Sequence, residues 1–315
     1  MAIDTDFDFV VAGATGWLGQ ATLAYLYREF GRDASKRVHA FASSERALTL
    51  GAGVPIRVRA LDDLPSLMLE RPAIVFHYAF RTKDSVGKMT LDEYLSSNEG
   101  IRQAVIRFID GHEVAGMFIP SSGAAYAGLD PDNRSDGAIY GRCKLDDEHL
   151  FGDKAAQRGF PAIISRVFNL SGAYINKHEL YALSSIILAC LEGRPIRIQA
   201  THPVWRSYYA VEDLIRLGMA AMLDGGLDSS ALFDTVGTEV IEIGELAQRC
   251  RSVLGALGSS VERPHVKAIP NNYYVGDPER IRALEQRFSF APRSLDEQIV
   301  DTAAYLTGLA KKAHV

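Results

Sequence analysis

Cysteine is scarce in this chain of 315 residues, which has only Cys143, Cys190 and Cys250. Their number is odd, they lie far apart and none belongs to a C-x-x-C pair. A disulfide frame and a cysteine zinc site are thereby excluded, and a reducing, cytoplasmic setting is expected. A basic stretch is missing too. The net charge is −5, and without a run of Lys or Arg no nucleic-acid partner is expected. No apolar run is long enough to span a bilayer, so no membrane partner is expected. The best candidate, 180–191, is short and contains Ser184 and Ser185. The opening M-A-I-D-T-D-F-D is acidic and lacks the basic and apolar parts of a signal peptide, so none is expected. Repeats, low-complexity tracts and long linkers are also lacking. His77 reads as a packed strand-end residue and His202 has no partner, so no metal site is expected. What remains is ordinary for a soluble enzyme, with 47% hydrophobic and 23% charged residues.

The most informative stretch is 7–19, F-D-F-V-V-A-G-A-T-G-W-L-G. A short apolar run (9–12) stops at Gly13, and Gly16 and Gly19 follow at three-residue spacing. Residues 21–30 then carry Leu23, Leu26, Tyr27 and Phe30 at helical spacing. Strand, glycine turn and helix in that order suit a pyrophosphate, held by helix-start N–H groups where no side chain blocks the backbone. Further strands are expected at 37–42, 56–61, 73–79, 116–121 and 161–168, with helices at 92–110 and 140–157. Strands alternating with helices predict an α/β fold, a Rossmann-type doubly wound parallel sheet.

Beyond about residue 170 the pattern turns irregular. Helices are expected at 180–192, 211–223 and 242–257, short strands at 195–199 and 231–236, and a mixed tail after them. The expected division is a dinucleotide-binding domain over 1–170, with 206–238 returning to it. Residues 171–205 and 239–315 would form a smaller C-terminal substrate-binding lobe. A cleft between the two is expected at the strand carboxyl ends.

Tyr140-Gly141-Arg142-Cys143-Lys144 is the sharpest chemical signal. Tyrosine and lysine four apart on a helix lie on one face, about one turn from each other. An ammonium near a phenol favours the tyrosinate and brings its titration below the free value near ~10. Tyr140 is then suited to give a proton to a carbonyl or take one from an alcohol. By itself such a pair is also an ordinary surface feature. Ser122, at the carboxyl end of the preceding strand, could hydrogen-bond the same substrate oxygen.

Taken together, the glycine triplet, H-Y-A at 77–79, Asn98 followed by Gly100, S-S-G-A-A-Y at 121–126 and Y-x-x-x-K resemble the extended short-chain dehydrogenase/reductases. R-V-F-N-L-S-G at 166–172 and W-R-S-Y-Y-A-V-E-D-L at 205–214 are similar to signatures of that superfamily's nucleotide-sugar epimerase/dehydratase/reductase branch. The resemblance covers nearly the whole chain. It implies Tyr140 as catalytic acid/base, Lys144 binding the nicotinamide ribose, and Ser122 polarising the reacting oxygen. Ser122 is chosen over Ser121 because it lies four before Tyr126, the family's usual offset. The cofactor would be held by Gly13, Thr15, Gly16, Trp17, Leu18 and Gly19 at the turn, and by Ser43, Ser44 and Arg46 at the second strand's end. Asp62 or Asp63 near the adenine (the alignment at 60–63 allows either), Tyr78, Ala79 and Phe80 after the fourth strand, and Asn98 complete that set with Tyr140 and Lys144. Asn169 and Arg206 would hold the diphosphate of a sugar nucleotide, Arg206 through charge-assisted hydrogen bonds. A homodimer through the helices at 92–111 and 140–158 is also implied.

The family's dehydratases carry Asp and Glu just after the catalytic hydroxyl, and its 3,5-epimerases a cysteine two residues after it. Gly123 and Ala124 occupy those places here and cannot transfer protons. Hydride transfer at one carbon, most often C4, remains. At the end of the second strand, NAD-selective members place an acidic residue. Ser43, Ser44 and Arg46 would instead accept a 2′-phosphate, which favours NADP(H); Glu45 turned inward would restore NAD. The expectation is reduction of a 4-keto-sugar nucleotide. A 4-epimerase with tightly bound NAD is the alternative, and a non-catalytic dinucleotide-binding regulatory module is the alternative of another class.

Overall fold

The computed structural model describes residues 6–51, 53–224, 230–267 and 271–313. The first five residues, part of the opening read for a signal peptide, lie outside that set. Seven strands in chain order carry the main sheet: β1 (Asp8–Ala12), β2 (Val38–Ala42), β3 (Arg46–Thr49), β4 (Pro55–Ala60), β5 (Ala73–His77), β6 (Val114–Ser122) and β7 (Ala162–Val167). The strand Ala231–Asp234 completes it, and the spatial order is Ala231–Asp234, β7, β6, β5, β1, β2, β4, β3. β1 and β5 are buried at every position, as continuous apolar runs are when helices cover both faces of a parallel sheet. The pairs β1·β2, β2·β4, β1·β5, β5·β6 and β6·β7 are parallel. This is the Rossmann-like α/β fold expected from the sequence.

The chain winds outward from β1 through β2 to β4, then returns to place β5, β6 and β7 on the other side. β1 and β5 are therefore the neighbours at which strand order reverses, and the crevice outside their carboxyl ends is where such sheets bind ligands. Beneath it lies a core of Val10, Phe41, Val75, Phe108, Met117, Ile119, Phe151 and Ile164 with their neighbours, all buried.

Several boundaries differ from expectation. Helix α1 runs Trp17–Phe30, four residues longer at its start, because Gly16 is its N-cap and Gly19 lies within the helix. β5 ends at His77, leaving Tyr78 and Ala79 in the loop. The helix expected at 140–157 begins at Asp136, where Ser135 Oγ accepts from Ala138 N at 3.2 Å. The strand expected at 195–199 shrinks to Ile196–Arg197. The 46–49 segment is an edge strand paired antiparallel with β4. The expected mixed tail holds two helices, Glu279–Arg287 and Leu295–Ala313.

Two compact units divide the chain: 1–167 with 215–233, and 168–214 with 234–315. In the second, Val204–Arg206 pairs antiparallel with Ile241–Glu242 and parallel with Asn272–Tyr274. Among the described residues no helix is long and apolar enough to cross a membrane. The three cysteines are buried and unbridged.

His77 closes β5 with its ring edge on Phe151, 4.8 Å between centroids. It is buried, and its Nδ1 has no hydrogen-bond partner among the described residues. Burial pushes its pKa from 6.5 down to about 4, against the opposing pull of the Asp147 charge. The folded state thus keeps the imidazole neutral where the unfolded chain would protonate it. Its contribution is complete above pH 6.5 and lost as pH falls towards 4, about 3 kcal/mol in all. Urea unfolding at stepped pH should show this acid slope, and His77→Gln should flatten it.

Candidate active site

The turn after β1 is built backbone against backbone. Gly13 N and Ala14 N both donate to Phe41 O at 2.8 Å, and Tyr78 N donates to Ala12 O at 2.7 Å. Gly13 has φ +91°, and a Cβ there would lie 2.5 Å from Ala79 N and from the Tyr78 carbonyl carbon. A Cβ at Gly19 would stand 2.2 Å from Gly13 O. Only glycine fits either place. The result is a helix start to which other backbone can come very close. Gly16 caps α1 without a side-chain hydrogen bond, and no acidic residue lies in its first turn. The positive end of the helix is left for an external anion, so the residues present fit a dinucleotide pyrophosphate. Thr15 O accepts from Gln20 Nε2 at 2.9 Å, which steadies the turn from behind.

The loop leaving β5 is fixed on both sides. Tyr78 Oη shares a 2.8 Å hydrogen bond with Thr22 Oγ1 of α1, and burial raises the pKa of its phenol. Asn98, buried in the helix Leu91–Gly111, accepts from Arg81 N at 2.8 Å and donates to Tyr94 O at 3.2 Å. Both side chains hold the loop that presents Ala79 and Phe80.

The helix Asp136–Arg158 and the end of β6 bring the chemistry together. Ser121 Oγ donates to Glu148, which is held by a bidentate pair with Arg166 at 2.9 and 2.6 Å. Ser122, half-buried, accepts the local Ala124 N at 3.2 Å. Ser121 is thereby occupied in the interior and Ser122 stands at the strand end. Tyr140 is half-buried, and its ring meets Phe80 edge-on at 5.7 Å. Lys144 Nζ lies 3.7 Å from the centre of the same Phe80 ring and donates to Pro120 O of β6 at 3.1 Å. Burial lowers the Lys144 pKa, while Asp147 beside it acts in the opposite sense.

At the end of β2, Ser43, Ser44, Glu45 and Arg46 are all exposed. Arg46 Nη2 donates to Ser44 Oγ at 2.6 Å, and Glu45 is paired with Arg57 at 2.8 Å. Asp62 is exposed in the short 3-10 turn Leu61–Ser66 that follows β4. In the other unit, Asn169 Nδ2 donates to Ser207 O at 3.2 Å and Tyr274 O at 3.5 Å. Arg206 lies 5.7 Å over the Tyr274 ring and donates to Asn272 Oδ1 at 2.9 Å. The two share Tyr274 as a common neighbour.

Sequence reading missed Arg102, Asp147 and Glu148. Arg102 Nε donates to Asp147 Oδ1 at 2.6 Å. The buried stripe of the Asp136–Arg158 helix runs through Lys144, Asp147, Glu148, Phe151 and Ala155. Three ionisable side chains thus sit at positions where helical spacing calls for apolar ones, and that mismatch was the available signal.

A model of the NAD dependent epimerase/dehydratase family matches residues 9–229. No curated protein matches the chain. Among solved structures, the UDP-N-acetylglucosamine 4-epimerase of Methanobrevibacter ruminantium M1, in complex with UDP-N-acetylmuramic acid, is similar with a TM-score of 0.74 at 16% identity, covering 97% of this chain and 100% of that one. The UDP-glucuronic acid 4-epimerase of Bacillus cereus, with UDP-glucuronic acid and NAD, gives 0.69 at 19% over 96% and 100%. MoeE5 with UDP-glucose and NAD gives 0.68 at 21% over 96% and 99%.

The turn 125–128 packs on the Asp136–Arg158 helix through glycines. A Cβ at Gly141 would come within 2.0 Å of Ala124 O, and one at Gly128 within 2.6 Å of Arg142 N. This contact sets how the Ser122 end of β6 meets the residue next to Tyr140. Gly141→Ala should therefore force the turn away and destabilise the protein by about 1–3 kcal/mol, read as a lower urea midpoint.

Proposed function

Because this chain belongs to the NAD dependent epimerase/dehydratase family, we propose that it is a nucleotide-sugar 4-epimerase that retains its dinucleotide. The observation that carries this reading is the contiguity of Tyr140, Lys144 and the Ser122 strand end, linked through Phe80 and Pro120. The backbone of Gly13–Gly19 and the Tyr78–Phe80 loop would hold the dinucleotide, with Asp62 at its adenosine end. When bound, that group supplies the hydride acceptor and donor. Tyr140 Oη takes the proton from a sugar hydroxyl and gives it back to the carbonyl oxygen. Ser122 Oγ donates to that oxygen and fixes its place. Lys144 stands one turn away as a cation that favours the tyrosinate. Asn169 and Arg206 would take the substrate diphosphate, and burial lowers the pKa of Arg206 before any anion arrives. Gly123 and Ala124 carry no proton, so the site is not suited to elimination. The similar structures named above, two of them 4-epimerases and two in complex with NAD, favour this reading over reduction.

A second reading, a 4-keto-sugar nucleotide reductase using NADP(H), is favoured by the β2 end. Glu45 is tied to Arg57, while Ser43, Ser44 and Arg46 face solvent at the place where a 2′-phosphate would lie. Denaturing the purified protein and analysing the released dinucleotide separates the two. About one equivalent of NAD, with turnover of a UDP-sugar, is the expected result. A protein released empty that oxidises NADPH with a 4-keto sugar is the reductase. Tyr140→Phe should lower turnover by at least ~10²-fold and leave dinucleotide content unchanged.

A further inference from the structure

Lys144 is an expensive side chain to bury, and its surroundings show how its charge is kept. It is 5% exposed. Its ammonium touches the Pro120 carbonyl on one side and the Phe80 ring on another, contacts that together hold a cation but do not neutralise it. Asp147, one turn along the same helix and 1% exposed, is the counter-charge. Its Oδ2 lies 3.7 Å from Lys144 Nζ and accepts no hydrogen bond among the described residues. Its Oδ1 is taken by Arg102 Nε at 2.6 Å, and Arg102 Nη2 donates to Cys143 O at 2.8 Å. Arg102 thus clamps the carboxylate from the neighbouring Leu91–Gly111 helix, and turns the other oxygen towards the lysine. Two outer carboxylates, Glu99 and Asp146, lie 3.5 and 3.8 Å from Arg102.

We propose that Asp147 is a positioning residue: clamped by Arg102, it keeps the buried Lys144 ammonium charged and seated against the end of β6. The role rests on Lys144 serving Tyr140 as proposed above. An isolated buried ammonium sheds its proton, because desolvation disfavours the charged form. The titratable groups that act on Lys144 are Asp147 and Cys143 of its own helix, Arg102 of Leu91–Gly111 and His77 of β5. His77 is neutral at pH 7, its pKa being pushed down to about 4. Cys143, its pKa raised by burial, is neutral as well. Among the described residues acting on Lys144, Asp147 is therefore the buried anion and Arg102 the competing buried cation.

The two neighbours act on Lys144 with opposite signs, which a merely structural role would not reproduce. The test is a pH titration of the full-length protein labelled with 13Cε-lysine, with the Lys144 resonance assigned by its loss in Lys144→Arg. Asp147→Asn should lower the Lys144 midpoint by about one pH unit or more, and Arg102→Gln should raise it. An unchanged or raised midpoint in Asp147→Asn overturns the proposal. If Asp147→Asn does not fold, Asp147→Ser takes its place: a lowered midpoint supports the proposal, and an unchanged or raised one overturns it. The midpoint is read without turnover, so failure to find an active nucleotide sugar would count against the proposed reaction and not against this assignment.

Discussion

The close approach of β1's exit to β5's exit is the constraint on which the rest depends. Tyr78 N reaches Ala12 O, and the Gly13 Cα faces the Tyr78–Ala79 peptide with no room for a methyl group. That packing fixes the turn from behind, so that the start of α1, capped by no side chain, is aimed into the crevice where strand order reverses. It also sets the starting point of the loop that delivers Phe80 between Tyr140 and Lys144. A backbone contact at one end of the sheet and a set of polar side chains at the next strands are thus parts of one arrangement.

Charge inside the Asp136–Arg158 helix is the second theme. Burying ions is unfavourable unless they are paired and hydrogen-bonded, and this helix buries Lys144, Asp147 and Glu148 on one stripe. Each has a partner from another element. Glu148 has Arg166 of β7 and Ser121 of β6, Asp147 has Arg102, and Lys144 has Pro120. The stripe thereby ties the helix to β6, β7 and the Leu91–Gly111 helix by directional bonds. Apolar residues there would pack, but would not fix which turn of the helix faces Ser122.

The sheet and the polar pair were legible in the sequence because their signals are local. Continuous apolar runs mark β1 and β5, glycines mark the turn, and Tyr140 and Lys144 share a helix face. Signals that depend on neighbours were not legible. Arg102 and Asp147 are more than forty residues apart in sequence, and only the packing of two helices makes them a pair. The edge strand Arg46–Thr49 is too short for a period, and its pairing with β4 decides it. The helix Glu279–Arg287 buries only Ile281, Leu284 and Glu285, too few apolar positions to stand out. The last helix did carry a readable start: Ser294 N and Oγ both bond Glu297, the S-x-x-E capping pattern. Glu45, whose orientation bears on the choice of cofactor, turns to Arg57 across a hairpin that sequence spacing alone does not show.

The account stands most directly on whether the first turn grips a dinucleotide because of its contact with the β5 exit. Calorimetric titration of NAD and NADP into protein stripped of small molecules, alongside Gly13→Ala, measures this. The wild-type chain should bind one of the two, and Gly13→Ala should bind it at least ~100-fold more weakly while keeping its helical circular dichroism. A wild-type protein that binds neither, or a folded Gly13→Ala protein that binds as tightly as wild type, would contradict it.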